Sequence, residues 1–150
     1  MTPFKYQSEI QNLPNCPPAD YQQIRIQAFR WVFKEENHSN NFRPPLVIKP
    51  LRRLKDKCAG YALSFFNTPE NARKRYLHLC YGRTGQDFVA SVGTYLAQGV
   101  IEQQDGVISK IEGQGHFELH EFAEIDLKPK FRGIGPILQE EENHDTHYRC

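Results

Sequence analysis

Two histidines and two carboxylates fall within the six residues His116-Phe117-Glu118-Leu119-His120-Glu121, the densest chemistry in the chain. In a β-strand, side chains two apart share a face. His116, Glu118 and His120 then project together while Phe117 and Leu119 point the other way. Two imidazoles and a carboxylate form a ligand set that zinc accepts in open catalytic sites, and the same groups suit proton transfer. The spacing is not the His-Glu-x-x-His of zincins, because the glutamate stands third rather than second. In a helix His116 and His120 would still share a face. Gly113 and Gly115, just upstream, allow a bend or a close backbone approach. The segment is therefore either a half-buried strand with a wet face or a site. In the site reading, His116, Glu118 and His120 hold a divalent metal, and Glu118 and Glu121 supply acid–base chemistry.

A second constellation is basic and aromatic. Lys49, Arg52, Arg53, Lys55 and Lys57 crowd into nine residues, and Arg73-Lys74-Arg75 runs into Tyr76. Arginine makes bidentate phosphate contacts and tyrosine stacks on bases, so Arg52, Arg53, Lys55, Arg73, Arg75 and Tyr76 are candidates for holding an anionic ligand, a nucleotide or a nucleic acid. No nucleic-acid-binding motif accompanies them, and the same residues suit a solvated surface. Gly82-Arg83-Thr84-Gly85-Gln86 lacks the Gly-Lys-Ser/Thr ending of a phosphate loop and reads as a turn. His144-Asp145-x-His147 offers a weak metal site in a polar tail.

Cys16, Cys58, Cys80 and Cys150 include no Cys-x-x-Cys pair, which excludes a zinc ribbon or a thioredoxin-type motif. With no apolar leader at the N-terminus, free thiols are expected, Cys58 and Cys80 as small buried hydrophobes. A Cys–His nucleophilic pair would have to form in space, with His116 or His120 serving Cys58 or Cys80.

The elements that must position these residues can be read along the chain. Residues 1–18, rich in Gln, Asn and Pro, read as an extended arm lying over the domain. Ala19 to Glu36 is ambiguous: Pro17-Pro18 before Asp20 resembles a helix start, whereas Ile24 to Phe33 alternates and is aromatic. The helix is the expectation. Leu46-Val47-Ile48 reads as a short strand or extended segment, and Ala59 to Phe66 as a buried strand. Thr68-Pro69-Glu70 is a helix start, with Thr68 as N-cap and Pro69 at the first helical position. Residues 87–98 combine helix and strand signals. Asp105-Gly106 signals a hairpin returning through Val107 to Ile111. Phe117 to Phe122 and Phe131 to Leu138 are further strands, and a polar tail starts near residue 139.

The 150 residues can bury a real core, and 12% aromatics exclude a disordered chain. No apolar run is long enough to span a bilayer. The net charge of +1 hides a split: residues 1–100 carry 14 Lys/Arg against 7 Asp/Glu, whereas residues 101–150 carry 5 against 11. This permits either an anionic partner for the first part or an intramolecular match.

The expected fold is α+β: a mainly antiparallel sheet built from the C-terminal half and the 59–66 strand, with one or two packed helices. Residues 1–150 are expected to form a single cytoplasmic domain. Its function is expected to be binding an anionic ligand, nucleotide, nucleic acid or protein partner through a basic, aromatic surface, with no membrane. The alternative is a small nucleotide-utilising transferase or hydrolase, metal-dependent or not. A cleft containing His116, Glu118 and His120 near Arg53 or Arg75 favours the enzyme. Those side chains standing apart on a strand favours the binding domain.

Overall fold

The computed structural model describes residues 2–50, 54–82 and 85–138. Among these residues six strands form one sheet in the order β4-β5-β2-β1-β3-β6, and each of their pairings is antiparallel. They are β1 (Ile26–Val32), β2 (Leu63–Phe66), β3 (Tyr95–Ile101), β4 (Gly106–Ile108), β5 (His116–Glu121) and β6 (Phe131–Pro136). Among the described residues four α-helices accompany them: α1 (Gln7–Ile10), α2 (Pro45–Ile48), α3 (Pro69–Cys80) and α4 (Gly85–Val92). The fold is α+β, as its strand-rich second half predicts. Among the described residues no helix is long and apolar enough to cross a membrane.

The period-two alternation of the strands sends side chains to two separate cores. Ala28, Leu63, Phe65, Ile101, Phe117 and Leu119 pack on one face of the sheet. Phe29, Phe66 and Leu96 lie on the other, beneath Ala72, Tyr76 and Cys80 of α3, with Phe88 and Val92 of α4 against them. Burial of both faces explains why neighbours such as Phe65 and Phe66 are both almost fully enclosed.

The helix expected over residues 19–36 is instead strand β1 at the centre of the sheet. Its residues pair with β3 from Ile26↔Ile101 to Val32↔Tyr95. Aromatic and β-branched content prevailed over the helix-like start because two neighbouring strands were there to pair with. Residues 46–48 are a helical turn rather than a strand, since Pro44 is extended and Pro45 opens the turn. The helix start at Thr68 is confirmed: its hydroxyl accepts the Asn71 N–H at 3.0 Å. The mixed signals of 87–98 resolve at Gly93. There φ is +86° and the N–H bonds the Val89 carbonyl, so α4 stops and β3 starts.

The Asp105-Gly106 hairpin does not form between β3 and β4, because β4 pairs with β5. The Asp105 carboxylate is fully buried, accepting the Glu102 N–H at 2.7 Å and the Lys130 ammonium at 2.7 Å. This network closes a 3₁₀ turn over Gln103–Asp105 and carries the chain to the far edge of the sheet. The N-terminal segment is more than extended chain. Phe4 bridges to Phe122, α1 buries Ile10, and Cys16 is disulfide-bonded to Cys58. Residues 139–150, and with them His144, Asp145 and His147, lie outside the described residues.

Candidate functional site

Strand β5 separates two environments. His116, Glu118 and His120 share the face that carries Phe66 and Ser64, as alternation requires. Each is engaged by a different element. The His116 ring pairs with Glu112 through Nδ1 at 2.7 Å and with the Ser64 hydroxyl through Nε2 at 3.1 Å. Glu118 accepts the Tyr21 hydroxyl, and burial together with that carboxylate raises the phenol's pKa. His120 is 2% exposed, lies between the rings of Phe4 and Tyr21, and brings Nε2 to 3.5 Å from Cys58 Sγ. Burial lowers its pKa to about 4, so the imidazole is neutral near pH 7.

The predicted metal triad is therefore not gathered around one point. Residues two apart on a strand stand roughly 7 Å from each other, and nothing bends β5 enough to close that gap. Among the described residues, one group of three has ligand atoms within 4.8 Å of one another: Cys16, Cys58 and His120. The free-thiol expectation is overturned. Cys16 and Cys58 are bonded with Cα atoms 5.5 Å apart, and none of the described cysteines is a free thiol. Cys58 is thus a cross-link to the arm rather than a small buried hydrophobe. The 42-residue separation of the pair hid a proximity that only the folded arm creates. The spatial Cys–His pair does form, between Cys58 and His120, but its sulfur is oxidised.

Glu121 points to the opposite face, because three positions from Glu118 is an odd step on a strand. The two carboxylates named together as acid and base thus occupy separate environments. Glu121 lines a cleft of about 220 Å³ with three cations, Lys5, Arg43 and Lys128, and a second carboxylate, Asp126, with Tyr6 and Phe42 also at its walls. Its side chain is 2% exposed. Oε2 accepts the Lys5 ammonium at 2.7 Å, and Lys5 also donates to the Ile125 carbonyl. Oε1 is buried with no hydrogen-bond partner among the described residues. Burial raises the Glu121 pKa, and the charges of Lys5 and Arg30 oppose that rise.

The cleft wall is held from beneath. Arg30 donates through Nε to the Asn41 carbonyl at 2.7 Å and through Nη1 to the Ser64 carbonyl at 2.9 Å. Its guanidinium also lies over the rings of Phe42 and Phe65 at 5.8 and 5.6 Å. Asn41, 3% exposed, accepts the Phe33 N–H and donates to the carbonyls of Glu35 and Glu36. These bonds fix the loop that presents Phe42 and Arg43. Burial pulls the Arg30 pKa down to about 10, which leaves the group cationic at neutral pH.

The basic, aromatic cluster lies elsewhere. Arg52 and Arg53 fall outside the described residues, and Lys55 is exposed. Arg73 donates through Nε to the Ile137 carbonyl, and Arg75 is half-buried on α3. Tyr76 is 2% exposed, packs on Trp31 and Phe88, and donates to the Gly93 carbonyl, so its ring offers no face for stacking. None of these described residues lines the Glu121 cleft. The sequence reading did not single out Lys5, Arg43 or Lys128. They come from three separated segments, and only the reading of residues 1–18 as a covering arm pointed toward Lys5.

Fold and site together define an α+β protein with a six-stranded antiparallel sheet, a disulfide-pinned arm and a small charged cleft. No known family model matches the chain, and no curated protein or solved structure matches it either.

Proposed function

We propose that the protein is a binding domain whose Glu121 cleft holds a small ligand carrying both an anionic group and a hydrogen-bond donor. The observation that carries this reading is Glu121 Oε1, a buried acceptor without a partner at the wall of a cleft edged by Arg43 and Lys128. A buried unpaired carboxylate oxygen is costly, and a ligand N–H or O–H would satisfy it. The cations would take the ligand's carboxylate or phosphate. The volume is below the roughly 300–1,000 Å³ of sites for drug-sized ligands, so a compact ligand or the end of a longer one fits best. This keeps the anionic-ligand class expected from the sequence but moves it to different residues. The same orphan oxygen favours one second reading, proton transfer by Glu121 on the bound ligand, since its carboxyl is biased toward the neutral form.

The expectation of a cytoplasmic protein rests on the lack of an apolar leader, and the expected free thiols follow from it. The Cys16–Cys58 bond supports an oxidising compartment instead.

The test is calorimetric titration with hydroxy acids, amino acids and phosphate monoesters, using wild-type protein, Arg43→Ala and Glu121→Gln. Each substitution should weaken the best binder by roughly tenfold or more, the worth of one charge-assisted hydrogen bond. Equal affinity in all three proteins overturns the proposal.

A further inference from the structure

On the opposite face of β5 we infer a second site: reduction of the Cys16–Cys58 bond creates a Cys₂His centre for a thiophilic divalent cation, zinc above all. Cys16 Sγ, Cys58 Sγ and His120 Nε2 lie within 4.8 Å of one another and come from three segments: the arm, the 3₁₀ turn at Cys58–Tyr61, and β5. Zinc bonds sulfur at about 2.3 Å and imidazole nitrogen at about 2.0–2.1 Å, so a tetrahedral centre sets adjacent sulfur and nitrogen ligands about 3.6 Å apart. The Cys58 Sγ to His120 Nε2 separation is 3.5 Å. Once the S–S bond opens, a modest side-chain rotation brings the sulfurs to the roughly 3.8 Å that two thiolates on one zinc require.

The ring is positioned for this role. It is enclosed by Phe4 on the arm and Tyr21 beyond it, and the nitrogen that faces the sulfur is the one that would ligate. Both cysteines are half-buried rather than sealed in the core, so a reductant and a metal ion can reach them. Three protein ligands leave the fourth position to water.

The chemistry balances with a dithiol as reductant. One thiolate of the dithiol attacks a protein sulfur and the other resolves the mixed disulfide. This leaves two cysteine thiols and the oxidised dithiol. Zinc then displaces one proton from each thiol and takes the imidazole lone pair. Oxidised, the arm is held by a disulfide. Reduced and zinc-loaded, it is held at the same place by a metal. This site does not depend on the Glu121 cleft.

The test uses the full chain, reduced with a dithiol, desalted without oxygen and titrated with Co²⁺ alone. The expected result is one equivalent bound, with thiolate-to-cobalt charge-transfer and tetrahedral d–d absorption that zinc bleaches, and no such bands in the oxidised protein. Cys16→Ser/Cys58→Ser, which retains the other two cysteines, should give no bands, and His120→Gln should bind at least tenfold more weakly. Bands that persist in the double variant, or unchanged affinity in His120→Gln, overturn the assignment. A second measurement needs no variant. Zinc should protect Cys16 and Cys58 of the reduced wild-type protein from alkylation, read by peptide mass mapping. Equal labelling with and without zinc also overturns it.

Discussion

His120 and Glu121 are consecutive residues, both at least 96% buried, and they lead opposite lives. His120 faces the side covered by the arm, beside aromatic rings and a disulfide, and its burial keeps it neutral near pH 7. Glu121 lines the charged cleft, paired through one oxygen to Lys5 and left with the other buried and unsatisfied. One peptide step along β5 separates an aromatic, cross-linked environment from an ionic one. Both groups are displaced toward their uncharged forms by the same cause, burial, and for Glu121 the opposite charges of Lys5 and Arg30 counter that displacement. The lesson is that a strand edge covered by an arm can carry two independent sites on its two faces, and the arm serves both: Phe4 lies against His120, and Lys5 holds Glu121.

The strongest way to break this contrast is to cut the arm's cross-link. Cys16→Ser/Cys58→Ser should destabilise the protein by about 4 kcal/mol, from the loop entropy of cysteines 42 residues apart, read by urea unfolding at equilibrium. It should also raise the His120 pKa toward 6.5, followed by NMR titration. An unchanged His120 pKa would show that the arm is not what keeps the ring dry.

Next in size is the opposition of two pH slopes. The folded pKa of His120, about 4, lies below the ordinary 6.5. Its contribution is therefore complete above pH 6.5 and is lost as pH falls toward 4, on the order of 3 kcal/mol in all. Glu121 is raised above 4.5, so its protonated form favours folding at low pH and that stability erodes as pH rises through the folded value. Wild-type stability should thus be flattened between pH 4.5 and 6.5. His120→Gln should fall with rising pH there, and Glu121→Gln should climb more steeply than wild type. Parallel profiles for the two variants would erase the distinction between the faces.

Two smaller changes sharpen it. Tyr21→Phe removes the hydroxyl bonded to Glu118 and should cost about 1 kcal/mol by thermal or urea unfolding, with no effect on ligand affinity in the cleft. Arg43→Ala, exposed at the rim, should change stability by less than about 0.5 kcal/mol while weakening that affinity.

Local chemistry made parts of this legible in the sequence. Thr68-Pro69-Glu70 carries its own capping logic, so the start of α3 could be read without knowing what it packs on. The alternation of 116–121 placed Phe117 and Leu119 in the core and His116, Glu118 and His120 on the other face. Residues 26–32 carry helix-like signals in the sequence because their strand identity depends on partners 37 to 75 residues away, Phe66 and the residues of β3. Likewise Asp105-Gly106 has the composition of a hairpin turn, but Lys130, far along the chain, neutralises Asp105 and redirects it. Tyr76 looked like a stacking residue beside three cations, and helical rotation put it on the buried side of α3.

By itself the sequence determined the α+β class, the helix start at Thr68, and a strand dense in titratable groups at 116–121, because each follows from neighbours within a few residues. Tertiary structure alone decided which of those groups matter. It folded the arm back so that Lys5 meets Glu121 and Cys16 meets Cys58 beside His120. Those contacts join residues 42 to 116 positions apart, and no local propensity encodes such distances.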